Sequence, residues 1–142
     1  MSELDERRDR NQKIIDEFHA NAGKVGGPFE NIPLLLLHNY GAKSGQERIN
    51  PVAYRRDGDN YVVFASKGGR PENPDWYYNL VANPNVAIEV GTETLAAVAR
   101  EAAGDERERI WSLQKQEFPG FAEYEKSASN RTIPVMVLEP VS

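Results

Sequence analysis

The sequence predicts an α+β protein in which about six mostly antiparallel strands form a small barrel with helices on its periphery. Three observations predict it. Short apolar and β-branched runs recur from Ile32 onward, punctuated by Gly, Pro, Asn and Asp. The first three runs are joined by connections too short for parallel crossovers, which take about a dozen residues or more. Apart from one helix at the start, helical patterns appear only after the third run. A chain of 142 residues, 39% of them hydrophobic, has the size of one domain with a real core. The reading divides it into an N-terminal helix and linker, 1–28, and a barrel domain, 29–142.

The stretch from Ser2 to Ala22 reads as a helix, with Ile14, Ile15, Phe18 and Ala22 on one narrow apolar face and Gly23, Gly26, Gly27 and Pro28 ending it. Two readings stand side by side: the helix packs over the barrel, or it is a mobile lid or a contact with a membrane surface. Leu34 to Asn39 is a continuous apolar run, the pattern of a strand buried on both faces. Gly41 to Gln46 is a turn-rich loop, and Arg48 to Arg56 a second strand whose Pro51 points to an edge or a bulge. Asp57-Gly58-Asp59-Asn60 is a hairpin turn, followed by a third strand from Tyr61 to Ser66. After the loop Lys67 to Glu72, Asn73 reads as the cap of a helix that starts at Pro74-Asp75, runs to Ala82 and stops at Asn83-Pro84. Val86 to Val90 and Thr94 to Arg100 read as strands around Gly91. Gly104 to Glu117 and Phe121 to Ala128 read as helices, and Thr132 to Leu138 as the last strand.

Composition removes several function classes. With no cysteine there is no disulfide scaffold, thiol nucleophile or thiolate metal centre, and two histidines argue against a histidine-rich metal site. His38 reads as a strand histidine satisfied by a hydrogen bond. Seventeen basic against 22 acidic residues, net −5, disfavour nucleic acid and broad anionic-membrane binding. No run approaches the ~20 apolar residues of a membrane span, and the charged start is unlike a signal peptide, so a cytoplasmic location is expected.

Three segments carry candidate chemistry. Gly41-Ala42-Lys43-Ser44-Gly45-Gln46-Glu47-Arg48 combines flexible backbone, two cations and a hydroxyl, the parts of an anion site, although a solvated hairpin has the same composition. It is not a Walker loop, because a strand follows where a helix should. Ser66-Lys67-Gly68-Gly69-Arg70 ends the third strand, where a hairpin brings Lys67 or Arg70 toward the first loop, and a helix N-terminus with Trp76 comes next. Trp76 either lies against a planar ring or packs its helix on the barrel. Phe118, Phe121 and Tyr124 share one helical face, as a core seam or as an aromatic wall of a pocket.

Taken in order, Gly41…Lys43-Ser44-Gly45-Gln46…Arg48…Asn50-Pro51, Arg56-Asp57-Gly58-Asp59, Ala65-Ser66-Lys67-Gly68, Asn73-Pro74-Asp75-Trp76-Tyr77…Asn79-Leu80…Asn83-Pro84 and Arg131-Thr132-Ile133-Pro134-Val135 resemble the deazaflavin-dependent nitroreductase family over roughly Leu34 to Pro140. The resemblance implies a split β-barrel, flavin-reductase-like, and coenzyme F-420 as hydride donor. It implies that Lys43, Ser44, Gly45 and Arg48 hold the phosphate and acidic tail. Asn50, Pro51, Val52, Ala65, Ser66, Lys67, Trp76 and Tyr77 would line the ring and its linker. Ser66 and Tyr124 are the implied proton donors. Relatives that reduce nitroimidazoles carry tyrosines where this chain has Ala53, Phe118 and Phe121. The expected pocket of Ala53, Phe118, Phe121 and Tyr124 is therefore more apolar, and a quinone or planar enone is the expected acceptor. The alternatives are an FMN-dependent enzyme on the same barrel and a non-catalytic F-420 binder.

Overall fold

Alternation of side chains along each strand explains why so many consecutive apolar residues are buried at once. The computed structural model describes residues 3–27, 32–70, 72–128 and 131–141, with side chains left out for 3–8 and for Gly68. Its strands are β1 (Leu34–Tyr40), β2 (Glu47–Asp57), β3 (Asn60–Phe64), β4 (Asn85–Val90), β5 (Glu93–Glu101) and β6 (Val135–Pro140). They close in the order β1-β2-β3-β6-β5-β4, every pair antiparallel. In β1, Leu35 and Leu37 join the barrel interior while Leu34 and Leu36 face outward beneath a helix, so all four leucines are buried. Strands β3 and β6 repeat the rule. Tyr61, Val63, Met136 and Leu138 point inward, and Val62, Phe64, Val135 and Val137 lie in an outer layer.

Four helices cover the barrel: α1 (Glu3–Ala20), α2 (Asp75–Ala82), α3 (Gly104–Glu117) and α4 (Gly120–Ser127). Helix α1 buries Ile15 and Phe18 over Leu34 and Leu36, so of the two readings of this segment the packed one describes the structure. Helices α3 and α4 cover the other outer layer through Ile110, Trp111 and Phe121. Helix α2 sends Trp76 and Leu80 into the interior cluster. Gly58 turns the β2–β3 hairpin at φ +61, as Asp57-Gly58-Asp59-Asn60 predicts.

Several local expectations change: β3 stops at Phe64, short of Ser66, and β6 starts at Val135, three residues after the expected Thr132. The apolar series of α1 stops at Ala20, before Ala22, whose φ is +55. Gly23 follows at φ +94, and a Cβ there would meet Gly91 Cα, in the β4–β5 turn, at 2.7 Å. Asn73 does not cap α2. Pro74 holds the cap position, with no side-chain cap bond, because the Asn73 carboxamide is taken by Arg131 and Tyr78.

Candidate functional site

The first half of β2 is paired on one side only. From Glu47 to Ala53 it pairs with β1, and its ladder with β3 begins at Tyr54. Pro51, with no N–H to donate, falls in this half-free stretch, as an edge proline should. Beside it opens a cavity of about 840 Å³, within the usual range of small-molecule sites. Glu47, Arg48, Ile49 and Asn50 form one wall, Pro74, Asp75, Trp76 and Asn79 of α2 another, and Gln12, Ile15 and His19 of α1 a third. Lys67 enters from a 3-10 turn, Lys67–Gly69, with its backbone at φ +47.

A fork of hydrogen bonds holds that turn. Arg131 donates from Nη1 to Ala65 O (3.1 Å) and Asn73 Oδ1 (2.6 Å), from Nη2 to Ser66 O (2.9 Å), and from Nε to Arg70 O (3.1 Å). Burial lowers the guanidinium pKa from its usual value, a direction that nearby Tyr78 and Glu72 oppose. Lys67 Nζ lies 3.3 Å from Glu72 Oε1, and the ammonium holds that exposed carboxyl below its ordinary pKa through their hydrogen bond.

Both histidines converge on Glu89 of β4. His19 Nε2 is 2.8 Å from Oε1 and His38 Nε2 is 2.5 Å from Oε2, so one carboxylate ties α1 to the barrel beside the cavity. Burial pushes the Glu89 carboxyl up, but the hydrogen bonds from His38 and His19 outweigh it and leave the pKa below the ordinary value. His38 is thus a satisfied strand histidine, and no group of three or more metal-ligating side chains occurs among the described residues.

Of the residues singled out from the sequence, Arg48, Asn50, Lys67 and Trp76 meet at this cavity. Lys43, Ser44 and Gly45 sit on an exposed turn, and Ala42 N donates to Asn79 Oδ1 of α2 at 2.9 Å. Val52 and Tyr77 pack against the interior cluster, Ala65 is inside it, and the Tyr77 hydroxyl donates to Glu101, which pushes the phenol up to about 12. Pro51 and Ser66 stand one residue from Asn50 and Lys67. Ala53 lies under α1. Phe121 and Tyr124 pack on each other and over Phe64 and Trp111. Phe118 closes α3 half-buried, outside α4, so Phe121 and Tyr124 alone form the seam between α4 and the layer of Phe64 and Trp111. Sequence reasoning missed the α1 wall, Asn79 and the Arg131 fork. For Asn39 and Asn79 a signal existed, a carboxamide inside an apolar run.

Comparisons with known proteins agree on one family. The family model described as F420H(2)-dependent quinone reductase matches residues 10–140. A Mycobacterium tuberculosis protein of that description is 37% identical over 124 residues, covering 85% of this chain and 83% of its own. A solved F420-H2 dependent reductase superimposes with a TM-score of 0.69 at 41% identity over 75% of this chain and 94% of that one. A pyridoxamine 5'-phosphate oxidase-like chain from Listeria innocua, 14% identical with a TM-score of 0.55 over 89% of this chain and 93% of its own, shares the fold alone.

Proposed function

The chain belongs to the F420H(2)-dependent quinone reductase family, and from that premise we propose how its own residues carry out the reaction. It is an oxidoreductase on a split barrel that moves hydride from reduced coenzyme F-420 to a quinone. When bound, the reduced deazaflavin supplies the hydride from its central ring carbon. The single observation that carries the residue assignment is the convergence of Arg48, Lys67 and Trp76 on one cavity. A cavity with two cations at its border and a tryptophan and isoleucines in its walls fits a planar heterocycle with an acidic tail.

In this reading Arg48 and Lys67 take the phosphate end, joined by Lys43, Ser44 and Gly45 from the turn beyond. Trp76 and Pro51 flank the ring. Of the two implied proton donors Ser66 is preferred here, because its chain neighbour Lys67 lines the cavity while the Tyr124 ring packs on Phe121. A hydroxyl there would protonate the oxygen of the reduced quinone as charge develops. Helix α1 shields the site from water. Ile15 and Phe18 of α1 are packed on β1 and do not face outward.

Titration of the protein with oxidised F-420 tests the assignment. Saturable quenching of indole fluorescence is expected, mostly lost in Trp76→Phe, in which Trp111 remains as the only indole. Binding of FMN with no binding of F-420 would refute it. Binding of F-420 without oxidation of its reduced form by any quinone would mark a carrier protein.

A further inference from the structure

Three carboxamides form an unbroken line from a loop to the cavity, and the direction of each is determined by the one before. A backbone N–H can only donate, so Ala42 N fixes the oxygen end of Asn79, which accepts at 2.9 Å. The other end, Nδ2 of Asn79, therefore donates to Asn39 Oδ1 at 2.8 Å. The nitrogen of Asn39 is then turned toward three acceptors: Leu37 O at 3.1 Å, Arg48 O at 3.3 Å and Asn50 Oδ1 at 3.0 Å. Two of these are backbone carbonyl oxygens, which cannot donate and would repel the oxygen end of Asn39, so the orientation is determined twice over. Asn39 is fully buried and Asn79 is 8% exposed, so neither amide can exchange its partner for water without leaving a polar group unpaired.

The line ends at Asn50. Its oxygen is engaged by Asn39, and its Nδ2 has no hydrogen-bond partner among the described residues, while the residue lines the cavity. We propose that Asn50 presents a directed N–H donor to a carbonyl oxygen of the molecule in the cavity, and that Asn39 and Asn79 are positioning residues that hold it in that sense. The inference rests on the proposed reading of the cavity as the coenzyme and quinone site. Both molecules carry carbonyl oxygens, on the pyrimidine edge of the deazaflavin and on the quinone. The donor binds whichever oxygen lies against it, and it contributes most if negative charge grows there. The buried pair gives the site a preference for acceptor groups at this point and disfavours ligands that present an N–H.

The test uses the full chain and Asn50→Asp, which keeps an oxygen for Asn39 and replaces the cavity-facing N–H by an acceptor. A loss of about tenfold in F-420 affinity that persists at high salt, where repulsion between the new carboxylate and the acidic coenzyme is screened, places the carbonyl on the coenzyme, and a tenfold rise in quinone KM at unchanged F-420 affinity places it on the acceptor. Asn39→Asp does not touch the cavity, yet it should reproduce the same loss by forcing Asn50 to turn its nitrogen inward. Because that buried change can disturb folding, a second readout uses the wild type. The Asn50 side-chain amide pair in a ¹H–¹⁵N spectrum, identified by its absence in Asn50→Asp, should shift when F-420 or a reduced-quinone analogue is added. Wild-type affinity and turnover in Asn50→Asp, or an amide pair that stays put with both ligands, would overturn the proposal. Failure of the wild type to bind F-420 would instead overturn the reading of the cavity.

Discussion

Replacing Arg131 by alanine tests whether one guanidinium holds the turn that delivers Lys67. Four hydrogen bonds disappear together, to Ala65 O, Ser66 O, Arg70 O and Asn73 Oδ1. A net contribution of ~0.5–1.5 kcal/mol for each would sum to ~2–6 kcal/mol. The bonds share one rigid group and water reaches the half-buried site, so the lower end applies, ~2–3 kcal/mol. For a chain of this size that lowers Tm by about 4–10 °C. Urea denaturation measures the first figure, calorimetry the second, and fluorescence titration should show weaker F-420 binding because Lys67 loses its platform. Arg131→Lys keeps the charge but not the planar fork, and it should recover only a small part of either loss. A variant Arg131→Ala within about 0.5 kcal/mol of wild type, with unchanged F-420 affinity, would show that the turn holds itself.

Other outcomes follow from the same geometry. Arg48→Ala should cost ~1.5–3 kcal/mol of F-420 binding, as for a charge-assisted hydrogen bond, and Lys43→Ala under ~1 kcal/mol because Arg48 lines the cavity and Lys43 does not; equal effects in calorimetric titration would place the acidic tail on the turn. The lowered pKa of Glu89 makes its contribution to stability complete above the unfolded glutamate pKa, about 4.3, and lost as pH falls through the folded value. Glu89→Gln should therefore be less stable than wild type at pH 7 and approach it as pH falls below about 4.3 in urea melts. A gap that stays constant with pH would remove the carboxylate from the account. Phe18→Ala should cost ~3–5 kcal/mol of α1 docking and make the segment after Ala20 sensitive to trypsin, since Phe18 is 1% exposed; wild-type resistance would mean that the remaining contacts suffice.

Much of the barrel was legible because its signals are local. The run Leu34 to Asn39 has the pattern of a strand buried on both faces, and Asp57-Gly58-Asp59-Asn60 that of a tight turn. Helix α3 keeps the bounds Gly104 to Glu117 read from its flanking Gly and Pro. Hairpin reasoning, a statement about neighbours, could bring Lys67 or Arg70 toward the loop that ends at Arg48, and Lys67 is the one that lines the cavity with Arg48. What stayed hidden depends on partners distant in the chain. Asn73 reads as a cap until Arg131, 58 residues away, claims its oxygen. The spacing of Phe118, Phe121 and Tyr124 suggests one shared helical face, but the chain breaks at Pro119, so Phe118 ends α3 while Phe121 and Tyr124 of α4 meet the Phe64–Trp111 layer. The apolar edge of α1 could be read, but not that its neighbouring polar residues, Gln12 and His19, would form a cavity wall.

The meeting of Gly23 with Gly91 has a consequence for how wide the cleft can be. Main chain touches main chain there, so nothing compressible separates the segment after α1 from the barrel rim. A single methyl on Gly23 would act as a wedge, in a backbone conformation that already resists one, and would lever the whole helix away from β1. Clearance for bulkier oxidants can thus be altered at a pivot that no substrate touches, and selection on acceptor size has a handle there that leaves every pocket side chain unchanged.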